Sequence, residues 1–102
     1  MPKQKVKSSR DVIRILQKHH KELERLKIKH LALFGSFARG EQTLKSDVDL
    51  LVEFSERVDY FHFFDVQVFL KGILGRKVDL ATIRAIRPEF REQIEREQIR
   101  AA

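Results

Sequence analysis

Val12, Leu16, His19, Leu23 and Leu26 fall on one side of a helix when the chain advances about 100° per residue, and polar residues fill the other side. This predicts an amphipathic helix of about four to five turns. Ser8 or Ser9 can cap it, with Asp11 in the first turn near the positive end of the helix dipole. The pattern then shortens. Ile28 to Phe34 is an apolar run that stops at a glycine, Asp47 to Phe54 is nearly continuous in apolar character, and Lys77 to Ile83 is a third such run. Each predicts a strand, the second with both faces covered. Ser36 to Arg39 can begin a helical turn, Gly40 to Ser46 reads as loop, and Ser55 to Asp59 as polar linker. Tyr60 to Leu74 predicts a second long helix closed by Gly75. Pro88 opens a final helix to about Arg100, with Phe90 and Ile94 on one side and Arg91/Glu95 and Glu92/Arg96 paired across a turn.

The order helix, strand, short helix, strand, helix, strand, helix predicts an α+β fold with α/β-type alternation. Its centre is a small three-stranded sheet flanked by helices, with the strand order left open. At 102 residues the chain is one domain, with residues 1–8 as a flexible basic tail.

The second long helix has two apolar faces. Phe63, Val66, Phe69, Leu70, Ile73 and Leu74 fill one broad arc, interrupted by His62, and form the core side. Phe61, Phe64 and Val68 form a separate stripe, which either another helix of the domain covers or a second subunit or partner does. Tyr60 reads as a core aromatic at the helix start.

Composition narrows the chemistry. The chain has no cysteine, so disulfides, thiolate metal sites and cysteine nucleophiles are excluded. It shows no signal-peptide pattern and no membrane-spanning run, so a cytoplasmic location is expected. The net charge of +6 is uneven: residues 1–30 carry +7 and the remainder −1. No aromatics are interleaved with these cations as a base-stacking surface requires, so a nucleic-acid partner is not the expectation. His19 and His20 are adjacent on a helix, point about 100° apart, and form no metal site with His30.

The candidate chemistry lies in LFGSFARGEQTLKSDVDLLVEF, Leu33 to Phe54. Residues two apart in a strand share a face, so Asp47 and Asp49 should project together. Unpaired burial of two carboxylates is costly, and a divalent cation bound by hard oxygens relieves it. The alternative is ordinary: one aspartate caps a turn and the other meets an arginine. Gly35 and Ser36 follow a strand directly, where a glycine lets the backbone approach an anion and the serine hydroxyl can donate to phosphate. Asp79, between Val78 and Leu80, supplies a third acid on a neighbouring strand, unless it pairs with Arg76 or Arg84.

GSFARG, the ten residues between Ser36 and Asp47, SDVDLLVEF and GRKVDLAT together resemble the minimal nucleotidyltransferases of the DNA polymerase beta superfamily. The resemblance implies a polymerase beta-like nucleotidyltransferase fold with a mixed sheet. It implies a metal site of Asp47, Asp49 and Asp79 for two Mg²⁺ ions, these residues also being catalytic. It places Gly35, Ser36 and Ser46 on the nucleotide side, facing ATP or another nucleoside triphosphate, with Arg39, which either touches phosphate or only braces the turn. It further implies transfer of a nucleoside monophosphate, most often AMP, to a tyrosine hydroxyl of a HEPN-domain toxin that the protein neutralises as its antitoxin. An antitoxin that works by contact alone, and a nucleic-acid module using the basic amino terminus, are the alternatives in other functional classes.

Overall fold

The computed structural model describes residues 6–82, 88, 89, 92, 96 and 99–101. The first amphipathic pattern forms α1 (Ser9–Lys18) and α2 (His20–Arg25), with Val12, Leu16 and Leu23 buried. The expected single helix is interrupted at His19, whose ψ of 23° lies off the helical value. Its ring Nδ1 stands 2.9 Å from the Ile15 carbonyl, in place of a side chain pointing away from the turn. Ser8 caps α1 by accepting from the Asp11 N–H at 3.2 Å. The packed chain begins earlier than the expected tail allows. Val6 is buried in the core and its N–H donates to Leu74 O at 3.1 Å, so residues 6–8 belong to the body of the domain.

β1 (Ile28–Phe34) runs into α3 (Gly35–Arg39), and after a loop the chain forms β2 (Val48–Phe54). Leu50, Leu51 and Val52 are buried in succession, as a strand covered on both faces requires. α4 (Tyr60–Leu74) starts at Asp59, whose carboxylate accepts from the His62 N–H at 2.8 Å, and ends at Gly75 in the left-handed conformation. β3 (Val78–Thr82) follows, and β4 (Ile99–Arg100) closes the sheet.

The sheet order is β3-β2-β1-β4, with β2 and β3 parallel and the other neighbours antiparallel. The sheet therefore has four strands where three were expected. Ile99 and Arg100, expected in the last helix, pair with Leu33 and Ala32, and the Ala101 N–H donates to Leu31 O at 2.9 Å. This occupies the side of β1 that β2 leaves open. Pro88, Glu89, Glu92 and Arg96 are helical, and Arg96 reaches Glu92 at 4.0 Å. Ile83, Arg84, Phe90, Arg91, Ile94 and Glu95 lie outside the described residues.

The core joins α1 and α4 to the sheet through Val12, Leu16, Val66, Leu70, Leu74, Leu31, Leu50 and Val78, with Phe37 of α3 fully buried among them. Phe63 and Phe69 pack partly buried against it, as the helical arc predicts. The second stripe faces water: Phe61 is 80 % exposed, Phe64 56 % and Val68 53 %. Tyr60 is 79 % exposed, which corrects the expectation of a core aromatic. At the first position of α4 it lies outside the arc that meets the sheet. No described helix is long and apolar enough to cross a membrane.

Candidate active site

β2 and β3 lie side by side in parallel, and their register sets Asp49 opposite Asp79. Neighbouring strands are about 4.8 Å apart, so two in-register side chains on one face stand beside each other. β1 reaches the same place from the other side, because Phe34 pairs with Asp49 and Gly35 follows immediately. Gly35 has φ of +73°, and a Cβ built on it would overlap an Asp49 carboxylate oxygen and stand 3.0 Å from the Asp49 Cγ. Glycine is thus required there twice, by the backbone and by the approach of the carboxylate.

Asp47 lies one residue before β2, so the common face of Asp47 and Asp49 is not set by strand geometry alone. It is nevertheless close enough for its charge to act on Asp49. Burial raises the Asp49 carboxyl above its ordinary pKa, and the Asp79 and Asp47 charges with an Asp79 hydrogen bond raise it further, against a lowering influence from Arg39. The expected burial holds only in part. Asp49 is half-buried, whereas Asp47 and Asp79 are exposed, so the acids line an open face.

Ser36 is half-buried on α3, and among the described residues no group hydrogen-bonds its hydroxyl. Arg39 is exposed and its Nε stands 3.4 Å from Glu41 Oε2. Ser46 is engaged within its own loop, where Oγ accepts from the Thr43 N–H at 2.8 Å. The structure therefore gathers Gly35, Arg39, Asp47, Asp49 and Asp79 at the ends of β1, β2 and β3. It gives the Ser46 hydroxyl a loop-closing bond.

Arg76 does not pair with Asp79. It is 7 % exposed, the one buried charged residue among those described, and its partners are carbonyls. Nothing in residue spacing marked it, because its partners lie 30 to 70 positions away.

Among the described residues no group of three or more His, Asp or Glu side chains is placed so that it could hold a metal ion. The donor set nonetheless suits a hard divalent cation. It offers only carboxylate oxygens, and a half-buried Asp49 crowded by two like charges gains from neutralisation. Magnesium in particular takes few protein ligands and keeps waters and substrate phosphates in its other positions.

The chain belongs to the nucleotidyltransferase domain family, whose profile matches residues 13–101, a span that includes the glycine pressed against Asp49 at the end of a strand leading into a short helix. It is similar to the Methanocaldococcus jannaschii protein named "Putative protein adenylyltransferase MJ0128", with 47 % identity over 96 residues, 92 % of this chain and 98 % of that protein. It is 36 % identical over 86 residues to the protein adenylyltransferase MntA of Thermococcus cleftensis, covering 83 % of this chain and 87 % of that one. Among solved structures, a toxin-antitoxin with AMP-PNP superposes with a TM-score of 0.70 at 25 % identity, over 84 % of this chain and 71 % of the other. The expected family and fold class are both borne out, with a fourth strand added to the sheet.

Proposed function

We propose that the chain transfers AMP from ATP to a protein hydroxyl, that the acceptor is a tyrosine of a HEPN-domain toxin, and that the chain thereby acts as the cytoplasmic antitoxin. The observation that carries this reading is the in-register pair Asp49 and Asp79 with Gly35 held against Asp49. The matched adenylyltransferases and the toxin-antitoxin neighbour support the donor and the kind of partner.

In this reading the acceptor oxygen attacks the α-phosphorus of ATP. The new O–P bond forms as the bond from that phosphorus to the bridging oxygen breaks, and pyrophosphate leaves with the electron pair. The proton of the acceptor hydroxyl passes to Asp79, the exposed member of the pair. Gly35 makes room for a phosphate oxygen by having no side chain, Ser36 offers its hydroxyl, and Arg39 adds positive charge beside Asp49. Asp47, Asp49 and Asp79 are the residues that would hold magnesium, as two ions, and the chemistry it supplies when bound is neutralisation of phosphate charge and polarisation of the phosphoryl oxygens.

The partner docks on the exposed face of α4, at Phe61, Phe64 and Val68, through which the chain also has a surface for oligomers. This stripe is also what favours a second reading, in which contact alone neutralises the toxin. Labelled ATP, magnesium and a purified HEPN partner separate the two. We expect label on a partner tyrosine, and a fall of at least about 10²-fold with Asp47→Asn/Asp49→Asn. Labelling by that variant at the wild-type rate sinks the transfer reading. Protection of cells by a variant that no longer labels supports neutralisation by contact.

A further inference from the structure

Arg76 follows Gly75, the residue that ends α4, and leads into β3. Its Nη1 donates to the carbonyls of Thr43, Leu44 and Ser46 at 3.0, 3.1 and 3.0 Å, and its Nε to Val6 O at 2.6 Å. Its guanidinium carbon lies 5.1 Å from the centroid of the Phe37 ring, on the helix that begins with Gly35 and Ser36. A buried guanidinium that meets no carboxylate among the described residues is a costly choice for simple packing. Three of these four hydrogen bonds go to a single loop, which ends at Asp47.

The next residue completes the pattern. The Val48 N–H donates to Lys77 O at 2.9 Å. Asp47 is therefore gripped on both sides: the carbonyl before it by Arg76, and the N–H after it by Lys77. Two residues further on comes Asp79. We propose that Arg76 is a positioning residue, which places Asp47 relative to Asp79 and to the Gly35–Ser36 turn by clamping the 43–46 loop against the start of β3. The consequence for transfer rests on the adenylyltransfer reading; the consequence for the loop and for cation affinity does not.

The test uses the full chain and the variant Arg76→Lys, which keeps the charge but cannot hold a planar fork of carbonyls. Hydrogen exchange, Mn²⁺ titration and AMP transfer are measured side by side. Residues 43–48 should lose protection while Leu31, Leu33 and Leu50 keep theirs. Mn²⁺ should bind about 10–100-fold more weakly, the range seen when groups that orient metal ligands are removed. Raised divalent concentration should restore much of the lost transfer. Wild-type protection of 43–48, or unchanged Mn²⁺ affinity, overturns the proposal. So does an even loss of protection across the sheet, which marks Arg76 as a general stabiliser. If Arg76→Lys does not fold, Phe37→Leu removes the ring beneath the guanidinium and must loosen the same loop, and a wild-type loop in that variant overturns the proposal. Absence of transfer by the wild-type protein counts against the adenylyltransfer reading alone, since exchange and Mn²⁺ affinity still decide the role of Arg76.

Discussion

The acid-lined ends of β2 and β3 and the outward face of α4 both hold side chains in surroundings that their chemistry disfavours, but the protein treats the two places differently. At the sheet, Asp49 is crowded by two like charges, and the backbone around it is tied down by Gly35, Arg76 and the Val48–Lys77 bond. On α4, Phe61, Phe64 and Val68 are exposed on a regular helix whose opposite side packs the core. Crowding that is held in place costs stability and specifies geometry. Exposure on a helix that folds without those residues costs little, and it leaves a surface free for contact. Changes at the first place should alter activity and stability in opposed or separable ways, while changes at the second should leave stability intact and weaken association.

The largest effect is expected from Gly35→Ala, read against Gly40→Ala. Both glycines have φ of +73°, but a Cβ on Gly40 meets nothing within 4 Å whereas one on Gly35 strikes the Asp49 carboxylate. Each variant should lose about 1–2 kcal/mol from the left-handed backbone. Only Gly35→Ala must also move Asp49, and a displacement of about 1 Å at a reacting centre can cost about 10²-fold in rate. Thermal melts and AMP-transfer rates of the two variants check this, with similar melts and divergent rates as the expected result. Equal rates would show that the contact with Asp49 has no catalytic weight.

A smaller effect, confined to association, is expected on α4. Replacing Phe61, Phe64 and Val68 together by serine should leave folding stability within about 0.5 kcal/mol per site, since exposed positions contribute little. Toxin binding should weaken by at least about 30-fold, the consequence of removing an aromatic anchor worth ~2 kcal/mol. Calorimetric titration with the partner measures the second and a denaturant melt the first. Unchanged affinity would move the docking surface elsewhere.

The two regions also differ in how far residue order revealed them. Period alone separates the two apolar faces of α4, because both follow from one rotation per residue, but that the second face is exposed comes from the fold. The acids of the site are visible as interruptions in apolar runs, and Gly35 as a break at a strand end. Their assembly is not visible, since it depends on β2 and β3 being parallel neighbours with Asp49 and Asp79 in register. Arg76 is still less legible. Its partners are carbonyls, which every residue has, and only the folded chain selects Val6, Thr43, Leu44 and Ser46 from among them. β4 escapes for a third reason: two residues are too few to show a period. The break at His19 is a change in the backbone dihedrals of one residue, to φ −104° and ψ 23°, which the alternation of polar and apolar residues does not encode.

The smallest expected effect is on stability as a function of pH, and it tests the crowding directly. The Asp49 pKa is raised in the folded chain by burial and by Asp79 and Asp47, while in the unfolded chain it returns to about 3.9. Between those two values the folded state binds more protons than the unfolded state, so stability falls as pH rises through that window. The stabilising contribution is complete below the unfolded value and lost above the raised one. Asp49→Asn removes the titration, so its stability should change less over the same window and lie above that of the wild type at neutral pH. The difference should appear as a higher Tm for the variant at neutral pH and shrink as pH falls through the window. Added magnesium should narrow the gap, since a ligand that binds only the folded wild type stabilises it. Melting curves from about pH 4 to neutrality, with and without magnesium, decide the matter. A variant less stable than the wild type at neutral pH would mean that Asp49 makes a favourable contact that outweighs its crowding, and that the acid cluster is a structural device.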